Sequence, residues 1–126
     1  MCIRDRTKTT VFALILALLC SRALAQGSNF AADTLVPACR AFLAAETPTA
    51  AQALGEGLCV GIVATVYADG SIYNNGNRFC VPTTSSIRQA IQIIVRFFDE
   101  HPDMRRADLR DIAIVALKQS WPCEVK

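Results

Sequence analysis

Apolar residues recur with helical spacing along the second half of the chain. Ile87, Ala90, Ile91, Ile94, Val95 and Phe98 fall at i, i+3, i+4, i+7, i+8 and i+11, which predicts a helix with one buried face. Ser86 with Gln89 forms a capping box at its start. His101 lies in its last turn, where a basic side chain meets the carbonyl end, and Pro102 stops it. Leu109, Ile112, Ala113, Ala116, Leu117 and Trp121 repeat the pattern, and Pro122 ends that helix.

The first half of the exported chain predicts two more helices. The first runs from Asp33 or Thr34 to Ala45, with Leu35, Cys39, Phe42 and Leu43 on one side and Pro37 confined to the first turn. Glu46 to Thr49 is a turn, and Thr49 with Gln52 makes a second capping box. The helix that follows, Ala50 to Ala68, carries small residues four apart at Ala53, Gly57, Gly61 and Thr65. That ridge is expected to pack tightly inside the bundle, since small residues let another backbone approach. The apolar stretch from Leu58 to Val66 is too short for a membrane span. Between the second and third helices, Ser71 to Asn77 is rich in turn formers, and Ile72-Tyr73 and Arg78-Phe79 could flank an Asn75-Gly76 hairpin turn. The fold class expected is all-α, a small four-helix bundle-like domain with two disulfides and one longer loop between helices two and three.

The N-terminus reads as an export signal. Arg4, Arg6 and Lys8 give a basic start, Val11 to Leu19 is a short apolar run, and Ala23-Leu24-Ala25 is a small-residue cleavage site. Residues 1–25 are therefore expected to be removed, leaving one domain over residues 26–126 in the periplasm. That domain has nine Arg and Lys against ten Asp and Glu, so the basic balance of the whole chain comes from the signal. Nucleic acid is not an implied partner.

Cleavage leaves Cys39, Cys59, Cys80 and Cys123, an even number in a short exported chain, which reads as a disulfide framework. An antiparallel pair of helices joined near Asp103 brings the start of the third beside the end of the fourth, where Cys80 and Cys123 stand. Cys39 and Cys59 are left to pair across the first helical hairpin.

Catalytic chemistry finds little support. His101 is the only histidine, and its place at a helix end suits capping. No Ser-His-Asp set, zinc-ligand cluster or glycine-rich phosphate loop is present, and the cysteines lack C-x-x-C spacing. We expect a protein without enzymatic activity, cofactor or metal.

The ordered set Leu35…Cys39, Cys59-x-Gly61, Phe79-Cys80-x-Pro82, Ser86-x-x-Gln89, Phe97-Phe98-x-x-His101-Pro102, Ala116-Leu117 and Pro122-Cys123 resembles the Rap/Tai-type immunity proteins, associated with type VI secretion amidase effectors. One departure is Ile62, at a place where a tyrosine is common in the family. The resemblance implies a small helical periplasmic protein, often a homodimer, whose partner is a cell-wall amidase effector that it binds and blocks. Candidate effector-binding residues are Tyr73, Asn74, Asn75 and Arg78 in the loop, and Met104, Arg105 and Arg106 in the turn between the last two helices. Ile93 and Phe97 on the third helix, with Ile114 and Val115 on the fourth, are the candidate dimer interface. The alternative from another class is a small periplasmic stress chaperone or an accessory envelope-binding module.

Overall fold

The computed structural model of the chain describes residues 30–74 and 76–124. The expected export signal and Asn75 lie outside the described residues. Four α-helices follow one another: α1 (Ala32–Ala44), α2 (Ala50–Asp69), α3 (Ile87–Glu100) and α4 (Leu109–Ser120), with a 3-10 turn over Pro102–Met104. No strand is formed among the described residues, only an isolated antiparallel bridge between Ala31 and Asp108.

That bridge explains where α1 begins. Ala31 has no capping side chain. The first amides of the helix donate instead to loop carbonyls, Ala32 N to Ala107 O and Asp33 N to Arg105 O, each at 2.9 Å. Helix starts need such partners because their first N–H groups have none within the helix. This backbone capping carries α1 further toward the N-terminus than the sequence predicts. Pro37 consequently sits inside the helix rather than in its first turn, where its missing N–H leaves the Asp33 carbonyl without the usual intrahelical donor.

The other helix starts follow the sequence. Gln52 Oε1 accepts from Thr49 N at 2.8 Å, and Thr49 Oγ1 accepts from Gln52 N at 3.4 Å. Ser86 and Gln89 make the same reciprocal pair at 2.9 and 3.3 Å. Asp108 caps α4 by accepting from Arg110 N at 2.9 Å. At the end of α1, Ala45 turns into the left-handed region at φ 56°. Arg88 crosses from α3 to donate to the Leu43 carbonyl at 3.0 Å and the Phe42 carbonyl at 3.4 Å, with its guanidinium 5.0 Å from the Phe42 ring centre.

The core lies where the four helices meet. Val36 and Cys39 from α1, Cys59, Val63 and Val66 from α2, Ile91 and Ile94 from α3, and Leu109, Ile112 and Leu117 from α4 are fully buried. Phe79 joins them from the loop before α3. Its ring occupies the space beside Gly70, where a Cβ would fall closer than 3.0 Å to three ring atoms. Disulfides link Cys39 to Cys59, joining α1 to α2, and Cys80 to Cys123, joining the approach to α3 with the end of α4.

The small-residue ridge of α2 is not inside the bundle. Ala53, Gly57, Gly61 and Thr65 are all exposed, and a Cβ built at Gly57 or Gly61 meets nothing within 4 Å. The glycine that admits a neighbouring helix is Gly55, whose Cβ would lie 3.1 Å from that of Ala38 on α1. The core face of α2 is instead set by Cys59, Val63 and Val66, which the disulfide turns toward α1. At 20 residues α2 is also long and apolar enough to cross a membrane, with a mean hydropathy of 1.3 over its most apolar 18-residue stretch, although one face is packed and covalently tied to α1.

Candidate functional site

The loop after α2 is a strap laid along α4. Tyr73 Oη accepts from Arg110 Nη2 at 3.4 Å near the start of α4. The Gly76 carbonyl accepts from Lys118 near its end. Cys80 N donates to Trp121 O at 2.9 Å, beside the disulfide to Cys123. Since Arg110 and Lys118 are eight residues apart on one helix, the anchors span about 12 Å. The Tyr73 ring packs near Phe79, with centres 6.2 Å apart.

Backbone bonds shape the strap between its anchors. Asn74 O accepts from Asn77 N at 2.8 Å and Arg78 N at 3.0 Å, while Phe79 N closes back on Gly70 O at 3.0 Å. The flanking pairs Ile72-Tyr73 and Arg78-Phe79 form no strands, and Phe79 leaves the loop to reach the core, while the turn expected at Asn75-Gly76 includes a residue outside those described. Asn74, Gly76, Asn77 and Arg78 are exposed, whereas Tyr73 is half-buried. The hydrogen bond to Tyr73, followed by the charge interaction with it and smaller ones with Asp69 and Asp108, raises the Arg110 pKa above its ordinary value against slight desolvation.

The second candidate segment is equally anchored. Met104 is half-buried against the core, and Arg105 and Arg106 are exposed. Met104 N donates to His101 O at 3.1 Å and Ala107 N to Met104 O at 2.9 Å, while the Arg105 carbonyl caps α1. His101 donates from Nδ1 to the Phe97 carbonyl at 2.8 Å and stacks on the Phe97 ring at 3.9 Å. Its side chain thus terminates α3 and holds the turn. Among the described residues, no salt bridge engages Arg78, Arg105 or Arg106.

The proposed dimer residues divide. Phe97 and Ile114 are buried within a single copy, and Ile93 and Val115 are half-buried. The reason is that α3 and α4 each touch all three other helices, so their apolar flanks are used for packing. Ile93 lines an open cleft of about 480 Å³ with Ser85, Gln89, Arg96 and Trp121. Behind that cleft Tyr67 bonds Ser85 and meets Trp121 edge to face at 6.0 Å.

Two features had weaker signals in the sequence. Arg110 and Lys118 sit on the polar side of α4, and nothing in their spacing names the loop they hold. The outer face of α2 was legible as Leu54, Leu58, Ile62 and Thr65, a second helical stripe beside the core one. All four large apolar residues that are exposed among the described residues lie on or beside this helix: Leu54 at 68%, Leu58 at 39%, Ile72 at 77% and Phe30 at 42%. Phe30, Ile62, Thr65, Asp108 and Arg110 line a cavity of about 300 Å³ at its edge. No group of three or more His, Cys, Asp or Glu comes together to hold a metal ion among the described residues.

The two segments present exposed arginines and amides beside backbone hydrogen bonds. The family model of the Rap1a immunity proteins matches residues 31–123, from the bridge at Ala31 to the last disulfide. Neither the curated proteins nor the solved structures contain a match to the chain. With its whole helical domain and both disulfides inside the matched span, the chain belongs to the Rap1a immunity protein family.

Proposed function

We propose that this protein neutralises a peptidoglycan-cleaving amidase delivered by type VI secretion, and does so in the periplasm. The observation that carries the reading is the family match across the four-helix domain. Two disulfides fit an oxidising compartment, because thiols are kept reduced in the cytosol. The mode of action is occlusion. Asn74, Asn77 and Arg78 of the strap and the turn from Met104 to Arg106 offer exposed amide and guanidinium donors beside backbone that is hydrogen-bonded before binding. Little ordering entropy is then lost on association. Arginine donors suit a partner surface that carries carboxylates or peptide carbonyls. A second copy of the chain is a further partner in this reading.

Co-expression tests it. Cells exporting a type VI amidase effector should survive when they also export this protein. Alanine at Tyr73, Arg105 and Arg106 together should remove protection while the purified variant keeps its helical circular dichroism. Lysis despite wild-type protein, for every amidase effector of the type, would refute the reading. Full protection by the triple variant would refute the surface.

A further inference from the structure

We propose that the cleft beside Trp121 binds a short peptide that carries a free carboxylate. This goes beyond effector neutralisation and stands on geometry of its own. Gln89, Gln92, Ile93 and Arg96 line one side of the cleft, which has a volume of about 480 Å³. They fall at i, i+3, i+4 and i+7, so they share one face of α3. From Gln89 to Arg96 the helix rises about 10 Å. An extended chain covers that distance in about three residues. The row therefore matches a peptide of three or four residues lying along the helix.

The opposite rim is held by covalent and hydrogen bonds. The Cys80–Cys123 disulfide ties the approach to α3 to the end of α4, with Pro82 and Trp121 each two residues from a bridged cysteine. The Ser85 hydroxyl donates to the Pro82 carbonyl at 2.7 Å, and Tyr67 Oη lies 3.0 Å from the Ser85 carbonyl. The Trp121 carbonyl accepts from Cys80 N at 2.9 Å. A rim tied in this way loses little freedom when a ligand enters.

The groups left over define the ligand. Among the described residues that line the cleft, Arg96 carries the only charge and none is acidic. Glu100 stands one turn further on and lines the adjoining cavity, but no salt bridge joins it to Arg96. Gln89 uses Oε1 to accept from the Ser86 amide at 2.9 Å, which leaves its own N–H pair to donate. Gln89, Gln92 and Arg96 are all exposed, while Ile93 and Trp121 are half-buried and give apolar contact. Amide donors in a row with a guanidinium at one end suit peptide carbonyls that lead to a carboxylate. Sugar hydroxyls need strong acceptors as well as donors, and this lining supplies no carboxylate to accept from them. Two sources share the required chemistry: stem peptides freed from the cell wall, and the C-termini of proteins.

Trp121 is the one tryptophan of the chain, so its fluorescence and its indole N–H resonance both report on this cleft. The probe is the peptidoglycan stem tetrapeptide L-Ala-γ-D-Glu-meso-diaminopimelyl-D-Ala, titrated into the oxidised protein. Both signals should shift saturably, with a midpoint on the order of 0.1 mM. The same peptide with its carboxyl groups amidated should bind at least about tenfold more weakly. Arg96→Gln should lose as much, while Arg96→Lys keeps the charge and part of the binding. Both variants should melt as wild type does, because Arg96 is exposed and makes no salt bridge among the described residues. No saturable shift with the tetrapeptide overturns the proposal, as does equal binding of the amidated peptide or undiminished binding by Arg96→Gln. Sodium acetate or chitotetraose binding as tightly as the peptide gives the cleft to any small anion or to a sugar, and overturns it too. Tetra-L-alanine as tight as the stem peptide upholds the site with protein C-termini as its source; weaker tetra-L-alanine upholds it with the cell wall as its source. Effector neutralisation is scored separately. A protein that binds the peptide and neutralises nothing refutes the proposed function alone, while one that neutralises and binds no peptide overturns this site alone.

Discussion

Gly70 and Phe79 are a matched pair: the ring of one fills the place a side chain on the other would need. Gly70 has an ordinary right-handed conformation, with φ −51° and ψ −38°. Its importance is therefore space, not backbone freedom. The Phe79 amide also bonds the Gly70 carbonyl at 3.0 Å, which fixes both ends of the strap. Gly70→Ala should destabilise the protein by about 1–3 kcal/mol through overpacking. Phe79→Ala should cost about 3–5 kcal/mol through the cavity it leaves. Urea denaturation of the oxidised variants measures both, and a Gly70→Ala midpoint equal to wild type would show that the ring has room to move.

The two disulfides should differ in worth and in access. The separation of 43 residues for Cys80–Cys123 against 20 for Cys39–Cys59 gives about 4 and about 3 kcal/mol in the chain-entropy model. Paired serine variants and urea melts would measure them. Cys39 and Cys59 are fully buried while Cys80 is exposed. Limited reduction followed by alkylation and mass mapping should therefore label Cys80 and Cys123 first.

The strap should loosen without the fold failing. Arg110 and Lys118 make exposed contacts to Tyr73 and Gly76, so replacing both by alanine should cost under about 1 kcal/mol of global stability. Hydrogen exchange at residues 76–78 should rise over wild type in the same variant. Affinity for the effector should fall with it, since the segment would then be ordered only on binding.

Thr49→Ala and Ser86→Ala each remove one half of a reciprocal cap. A loss of about 1 kcal/mol each is expected from thermal or urea melts, and the double variant should be close to additive because the caps serve different helices.

Much of the fold is readable from apolar spacing and end signals. Both capping boxes and the faces of α3 and α4 are local features, and α3 and α4 bury Ile91, Ile94, Ile112 and Leu117 as their periodicity requires. The start of α1 was less legible because carbonyls from Arg105 and Ala107 cap it, and these residues are distant in sequence. The spacing of Ala53, Gly57, Gly61 and Thr65 records a face suited to close approach without saying whose backbone approaches. Among the described residues, no helix of the same copy fills it. The loop shows the same division: its turn formers were plain, but its docking along α4 depends on Arg110 and Lys118, whose reach is a tertiary property. Ile93, Phe97, Ile114 and Val115 share helix flanks in sequence, and only the packing of α3 and α4 against their neighbours separates buried Phe97 and Ile114 from half-buried Ile93 and Val115.

The most direct test is to titrate the oxidised protein into purified type VI amidase effectors while following peptidoglycan cleavage. The account predicts that one effector loses its activity at a stoichiometric ratio with nanomolar affinity, and that alanine at Tyr73, Arg105 and Arg106 abolishes the effect. Undiminished cleavage by every such amidase, with weak capture of many unfolded clients after acid exposure, would contradict it and identify a stress chaperone instead.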